Sequence, residues 1–163
     1  MDPSAPAVLV ALEVSAFGAA IRQSSWIYPL ANVGHILALV VFASAVAVLD
    51  LRLLGAFPAT RPADVVVPAR RAAMAAFGLM ALSGFVLFTA EASHVALNPV
   101  FQLKLGLIAV ALANAVVLGR IAEREADLMP AHVPFRGPVR LAGALSLALW
   151  ISVAASGRLI AYV

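Results

Sequence analysis

The sequence predicts an all-α integral membrane protein, a four-helix bundle with an N-terminal amphipathic interfacial helix. Three observations lead there. Of the 163 residues, 64% are hydrophobic and 12% charged, and the mean hydropathy is +1.03. A soluble domain has about 45–50% apolar and about 25% charged residues, so polar surface is too scarce here to cover a water-exposed globule. The apolar residues fall into long runs separated by charged, Pro-rich segments. Finally, the Arg residues flank those runs, where they act as topology signals. One domain is expected over residues 1–163.

The elements follow in order. Met1 to Pro6 carries an acid and no Lys or Arg, so the basic region of a signal peptide is missing. Residues 7–22 read as the interfacial helix, with Val8, Leu12 and Phe17 on an apolar side, Glu13 interrupting it and Arg22 and Gln23 ending it. Trp26 and Tyr28 follow, at the level where such rings favour the membrane interface. Four spans are expected at about 29–50, 71–91, 99–120 and 140–162, each long enough for a hydrocarbon core about 30 Å thick. Gly55 to Ala69 and Glu123 to Val139, each with three prolines, read as loops, and Ala92 to Leu97 as a short turn. Ala72, Ala76, Gly78 and Gly84 illustrate the small residues that let membrane helices approach closely.

Arg52, Arg61, Arg70 and Arg71 lie in or beside the first loop, and Arg120, Arg124, Arg136 and Arg140 in or beside the third. The second loop has none. By the positive-inside rule the first and third loops are cytoplasmic, the protein sits in the cytoplasmic membrane, and both termini are extracytoplasmic. The net charge of +3 is therefore no sign of nucleic acid. The absence of Cys excludes disulfides, thiolate metal sites and Cys nucleophiles. No nucleophile triad, phosphate loop or zinc signature is present.

Polar groups inside apolar spans are costly and each needs an account. His35 lies about 9 Å into the first span, with Asn32 three residues earlier on the same face. Lys104, the only Lys, lies about 8 Å into the third span, and Arg158 at a similar depth from the end of the fourth. With the alternating direction of the spans, all three fall at one level in the outer leaflet, with Glu91 and His94 in the turn above. An imidazole, an ammonium and a guanidinium at one level make an anion-friendly polar pocket. Haem fits that chemistry, with a neutral His on iron and Lys and Arg on the propionates. A quinone fits too, with its carbonyl oxygens hydrogen-bonded. The plainer readings stay open beside these. Lys104 and Arg158 can snorkel to the headgroups, and His35 can bridge helices by a hydrogen bond to Asn32 or Ser156. His94 can be a solvated turn residue, and Trp150 a packing residue.

Four stretches carry a resemblance. Trp26 to His35 (WIYPLANVGH), Leu49 to Gly55 (LDLRLLG), Asn98 to Lys104 (NPVFQLK) and Ser156 to Tyr162 (SGRLIAY) resemble an uncharacterised family of small bacterial four-helix membrane proteins. More distantly, a His in the first span with Phe-x-x-Lys-Leu in the third is similar to the copper resistance D family and to the membrane-bound, haem-containing protoporphyrinogen oxidases. The second resemblance implies haem b on His35, as the metal ligand, and an important Lys at Lys104. Gln102 stands where those oxidases carry a His.

The expectation is thus a multi-pass membrane protein, haem b-binding or redox-associated through His35, Lys104, Arg158, Asn32 and His94. The alternative is a non-enzymatic membrane subunit or transport accessory. Its intramembrane polar residues would hold helices together or bind a partner, either a second copy or another membrane protein.

Overall fold

The computed structural model describes residues 5–160, apart from the side chain of Leu118. The expected end of the fourth span at Tyr162 and the acid at Asp2 lie outside them. The described residues form seven helices and no strand: α1 Ala7–Val14, α2 Ala16–Gln23, α3 Ile27–Leu54, α4 Pro62–Ala90, α5 Ala92–Leu97, α6 Pro99–Leu128 and α7 Gly137–Leu159. The four long ones are apolar and long enough to cross a membrane. They alternate in direction and close a ring in which α3 packs on α4 and α7, and α6 on α7 and α4. The α4–α6 side is the least closely packed of the four.

The polarity of this bundle is inverted relative to a soluble one. Leu37, Leu79, Leu82, Leu141 and Ile151 all lie on the outside, at 61–70% exposure. The interior holds small residues and rings instead. Phe42, Ala45 and Val46 of α3 meet Ala73 and Ala76 of α4, with Phe77 and Trp150 against them. Apolar surface on the outside is stable only against lipid, so this is a multi-pass membrane protein.

Each helix end has a local cause. Asn98 caps α6, its Oδ1 accepting from Val100 N at 2.9 Å and Phe101 N at 3.2 Å, with Pro99 in the first turn. α3 ends at Gly55 in the left-handed region (φ 115°), and Ala56 N–H returns to Leu51 O at 2.8 Å. That closure favours a residue without a Cβ.

Several boundaries differ from the sequence expectation. The loop expected over Gly55 to Ala69 stops at Arg61, because Pro62 starts α4 and Pro68 lies inside it. Pro68 has no N–H to offer the preceding turn. That turn begins at the exposed Asp64, where water reaches the backbone. The second expected loop starts only after Leu128, and Gly137 opens α7. The long helices therefore overrun the hydrocarbon core at this end. At 28, 29 and 30 residues, α3, α4 and α6 measure about 42–45 Å, against a core about 30 Å thick. The overrun is packed: Leu53, Val66, Ala122, Ala126, Phe135 and Val139 form a second core cluster. The α3–α4 and α6–α7 loops touch there, with His132 N–H donating to Pro58 O at 2.8 Å.

The N-terminal helix is two helices. Ser15 adopts an extended conformation and its Oγ accepts from Gly18 N at 3.1 Å, which ends α1 and caps α2. Both dock on the α4–α5 end of the bundle. Glu13 Oε2 accepts from Ser93 N–H at 2.9 Å and from Ser93 O–H at 2.5 Å. Arg22 donates to Glu13 O at 2.6 Å and to Ala90 O at 3.3 Å, and Ile21 is 1% exposed. Val8 and Phe17 face outward, so this pair of helices shows lipid or headgroups one side while the other is fixed to protein.

Candidate functional site

His35 and Lys104 both lie in the half of the bundle nearest α5. His35 projects from α3 toward α4, and its Nδ1 lies 2.9 Å from Ser83 Oγ. The Ser83 hydroxyl proton is already committed to Leu79 O at 2.7 Å. Assigned on that basis, Ser83 accepts and the neutral His35 ring takes the tautomer with its hydrogen on Nδ1. In the neutral ring this leaves the Nε2 lone pair available. A ligating imidazole is oriented by the same device, a fixed N–H on the far side of the ring. Gly84 makes room for the ring: a Cβ there would stand 3.2 Å from His35 Cε1.

Lys104 is half-buried on α6 and reaches α7 by the same means. A Cβ at Gly157 would stand 3.2 Å from its Nζ. The ammonium is near enough to His35 to act electrostatically on the imidazole. The Phe88 and Phe101 rings stack about one turn beyond, with centroids 5.6 Å apart. Ser83-Gly84 and Ser156-Gly157, which in sequence look like packing pairs, thus seat the two polar side chains.

The other expected members are placed differently. Asn32 is exposed one turn before His35, and the partner of His35 is Ser83 rather than Asn32 or Ser156. His94 is exposed on α5, where its neighbour Ser93 is the residue turned inward to Glu13. Arg158 is exposed on the last turn of α7, adjacent to Gly157. Trp150 packs as expected, 4.6 Å from Phe42 and 6.1 Å from Phe77 between ring centroids. Among the described residues no three His, Asp or Glu side chains converge as a metal-binding group.

A second polar level was missed by sequence reasoning. Asp50, taken there as the charge that closes the first span, is 2% exposed and turned into the bundle. Arg52, counted as a loop charge, is 1% exposed. Its Nη2 donates to Thr60 O at 3.1 Å and its guanidinium lies 5.8 Å from the Phe135 ring centroid. Arg70 is ion-paired with Glu123 across α4 and α6, and Gly119 leaves space for its guanidinium. The signal available in sequence was spacing. His35, Phe42 and Asp50 recur at seven and eight residues, about two helical turns each, on one side of α3.

Fold and site define the class as a multi-pass α-helical membrane protein with two polar levels inside the bundle, separated by the Phe42, Phe77 and Trp150 rings. No family model matches the chain, and none of the curated proteins or solved structures is similar to it.

Proposed function

We propose that the protein binds a redox group, haem b before quinone, at the level of His35 and Lys104, with His35 Nε2 as the iron ligand. The observation that carries this is the 2.9 Å approach of His35 Nδ1 to a Ser83 hydroxyl lying 2.7 Å from Leu79 O; the tautomer assigned from that contact leaves the Nε2 lone pair free. A bare metal ion would need several protein donors, whereas iron held in a macrocycle needs one or two axial ones. The ammonium of Lys104 suits a propionate or a carbonyl oxygen. Haem bound here would supply one-electron chemistry. The chain's own part is to hold the neutral imidazole, orient it and pair the acidic edge. The more distant resemblance of His35 in the first span, with Phe101-x-x-Lys104-Leu105 in the third, to the haem-containing oxidases supports this reading, with Gln102 as the departure from their pattern. On the arginine bias we place this level toward the outer leaflet of a cytoplasmic membrane.

The test is optical. The protein, expressed with ample haem precursor and purified, should show a Soret band and a shifted α-band on reduction. His35→Ala should lose the Soret band with the helical content intact. Lys104→Met should keep ligation and weaken retention. A colourless wild type, or a full spectrum in His35→Ala, would leave the second reading. In that reading the chain is a membrane subunit or transport accessory, and polar bonds such as Asn114 Nδ2 to Ala142 O at 3.2 Å and Arg70 to Glu123 simply hold helices together.

A further inference from the structure

A cavity of about 220 Å³ lies in the other half of the bundle, toward the α3–α4 and α6–α7 loops, and all four long helices wall it. Asp50 lines it. Its Oδ2 is buried and has no hydrogen-bond partner among the described residues, while Ser146 of α7 is the hydrogen-bonding neighbour of the carboxyl. A carboxylate taken out of water is costly unless a cation or a strong donor meets it.

The cations nearby are engaged elsewhere. Arg70 also lines the cavity, but Glu123 pairs with it, so that pair adds little net charge. Arg52 is turned to Thr60 and Phe135; its buried Nε has no hydrogen-bond partner among the described residues, and it forms no ion pair with Asp50. Asn114, another lining residue, donates its amide to Ala142 O. Asp50 is thus the acidic group of the cavity that no cation compensates. The same space is bounded by Phe42, Phe77 and Trp150, whose centroids lie 4.6–6.1 Å apart. The faces of such rings attract cations.

Met74 and Val116 both line the cavity and lie on the outer surface, at 57% and 48% exposure. The cavity therefore opens sideways through the loose α4–α6 seam, so a molecule dissolved in the bilayer reaches it. Its volume is below the roughly 300–1,000 Å³ of drug-sized sites. A hydrated metal ion is a poor match, because Ca²⁺ or Mg²⁺ requires about six oxygen ligands. An anion would meet the Asp50 charge.

We infer that this cavity binds a small lipophilic organic ammonium, with its N–H⁺ donated to Asp50 and its hydrocarbon part against Phe42, Phe77 and Trp150. The site is separate from the His35 level and does not rest on the haem reading.

The test uses the full chain in lipid nanodiscs, with Trp26→Phe so that emission reports Trp150. Trp26 is 74% exposed, and its loss leaves the core untouched. The probes are 2-phenylethylammonium, neutral propylbenzene and anionic 3-phenylpropionate, each read against empty nanodiscs. The ammonium should quench or shift Trp150 emission saturably and bind at least tenfold more tightly than the other two. Asp50→Asn should weaken the ammonium at least tenfold and bring it level with propylbenzene. Phe77→Leu should weaken it several-fold with the acid in place, and His35→Ala should change nothing. Equal binding of ammonium and propylbenzene, or undiminished binding in Asp50→Asn, would overturn the proposal. If Asp50→Asn does not fold, the charge series on the parent protein and Phe77→Leu decide it alone.

Discussion

At the scale of single residues, a hydrogen in place of a methyl group is what admits the His35 ring at Gly84 and the Lys104 ammonium at Gly157. The two seats have the same clearance, 3.2 Å to an added Cβ, but different consequences. The imidazole is tied to Ser83, the residue next to Gly84, so it cannot retreat without stretching a 2.9 Å hydrogen bond. Lys104 presents the end of a flexible chain. Gly84→Ala should therefore cost about 1–3 kcal/mol, as overpacking of a rigid neighbour does, and lower the Tm. Gly157→Ala should leave the Tm nearly unchanged. Imidazole ¹⁵N shifts give the companion measurement: the neutral His35 ring should carry its proton on Nδ1, and Gly84→Ala should move that resonance. A proton on Nε2 in the parent protein would remove the basis for ligation through that atom.

At the scale of elements, α1 and α2 form a cap whose hold depends on one ionised group. The Ser93 O–H and N–H both donate to the Glu13 carboxylate and hold its pKa below the ordinary carboxylate range, with the Arg22 charge acting in the same direction. Because the docked pKa is the lower one, the stabilisation is complete above the ordinary Glu range. It is lost as pH falls through the lowered value. Hydrogen exchange of the amides of residues 7–23, corrected for intrinsic rates, should thus show full protection at pH 7 and lose it only once the pH has fallen below the ordinary Glu range. Hydrogen bonds to charged groups are worth about 1.5–3 kcal/mol, so Glu13→Gln should speed exchange at pH 7 at least tenfold. Protection unchanged by either treatment would mean that Ile21 and its apolar contacts hold the cap without Glu13.

The helices themselves were legible in the sequence because hydropathy over about twenty residues is a local property. What hydropathy does not carry is the rotation of a helix about its axis. Asp50 and Arg52 read equally well as the charged end of a span, and only packing against Ser146 and Phe135, some ninety residues away, turns both inward. The overrun of α4 to Pro62 was hidden for a related reason. Proline and charge signal a loop, yet a helix that has left the hydrocarbon tolerates both. His35 and Lys104 were legible because a lone polar group in an apolar run stands out. Their seats at Gly84 and Gly157 were not, because an unsubstituted backbone position gains meaning only from what lies against it.

At the scale of the whole molecule, both ends of the bundle are closed, but with opposite charge character. At one end the α3–α4 and α6–α7 loops are joined through His132 and Pro58, so they lie on one side of the membrane. Six exposed arginines gather toward that end: Arg61, Arg71, Arg120, Arg124, Arg136 and Arg140. The opposite end offers Arg22 and Arg158. Burial of Arg52 and pairing of Arg70 reduce the bias without reversing it. The positive-inside rule predicts that the joined loops face the cytoplasm and that the α1, α2 and α5 end faces out. The chain has no cysteine, so single replacements report cleanly. Ala126 is fully buried and would report packing rather than side, whereas Ala59, Val133 and Leu97 are exposed. In intact cells, Ala59→Cys and Val133→Cys should resist an impermeant maleimide and react after permeabilisation, while Leu97→Cys should react at once. Ala59→Cys and Val133→Cys must behave alike, since their loops touch, and a split between them would contradict the fold itself. Prompt labelling of both with protection of Leu97→Cys would instead invert the bundle, and put the His35 level in the inner leaflet and the Asp50 cavity in the outer one.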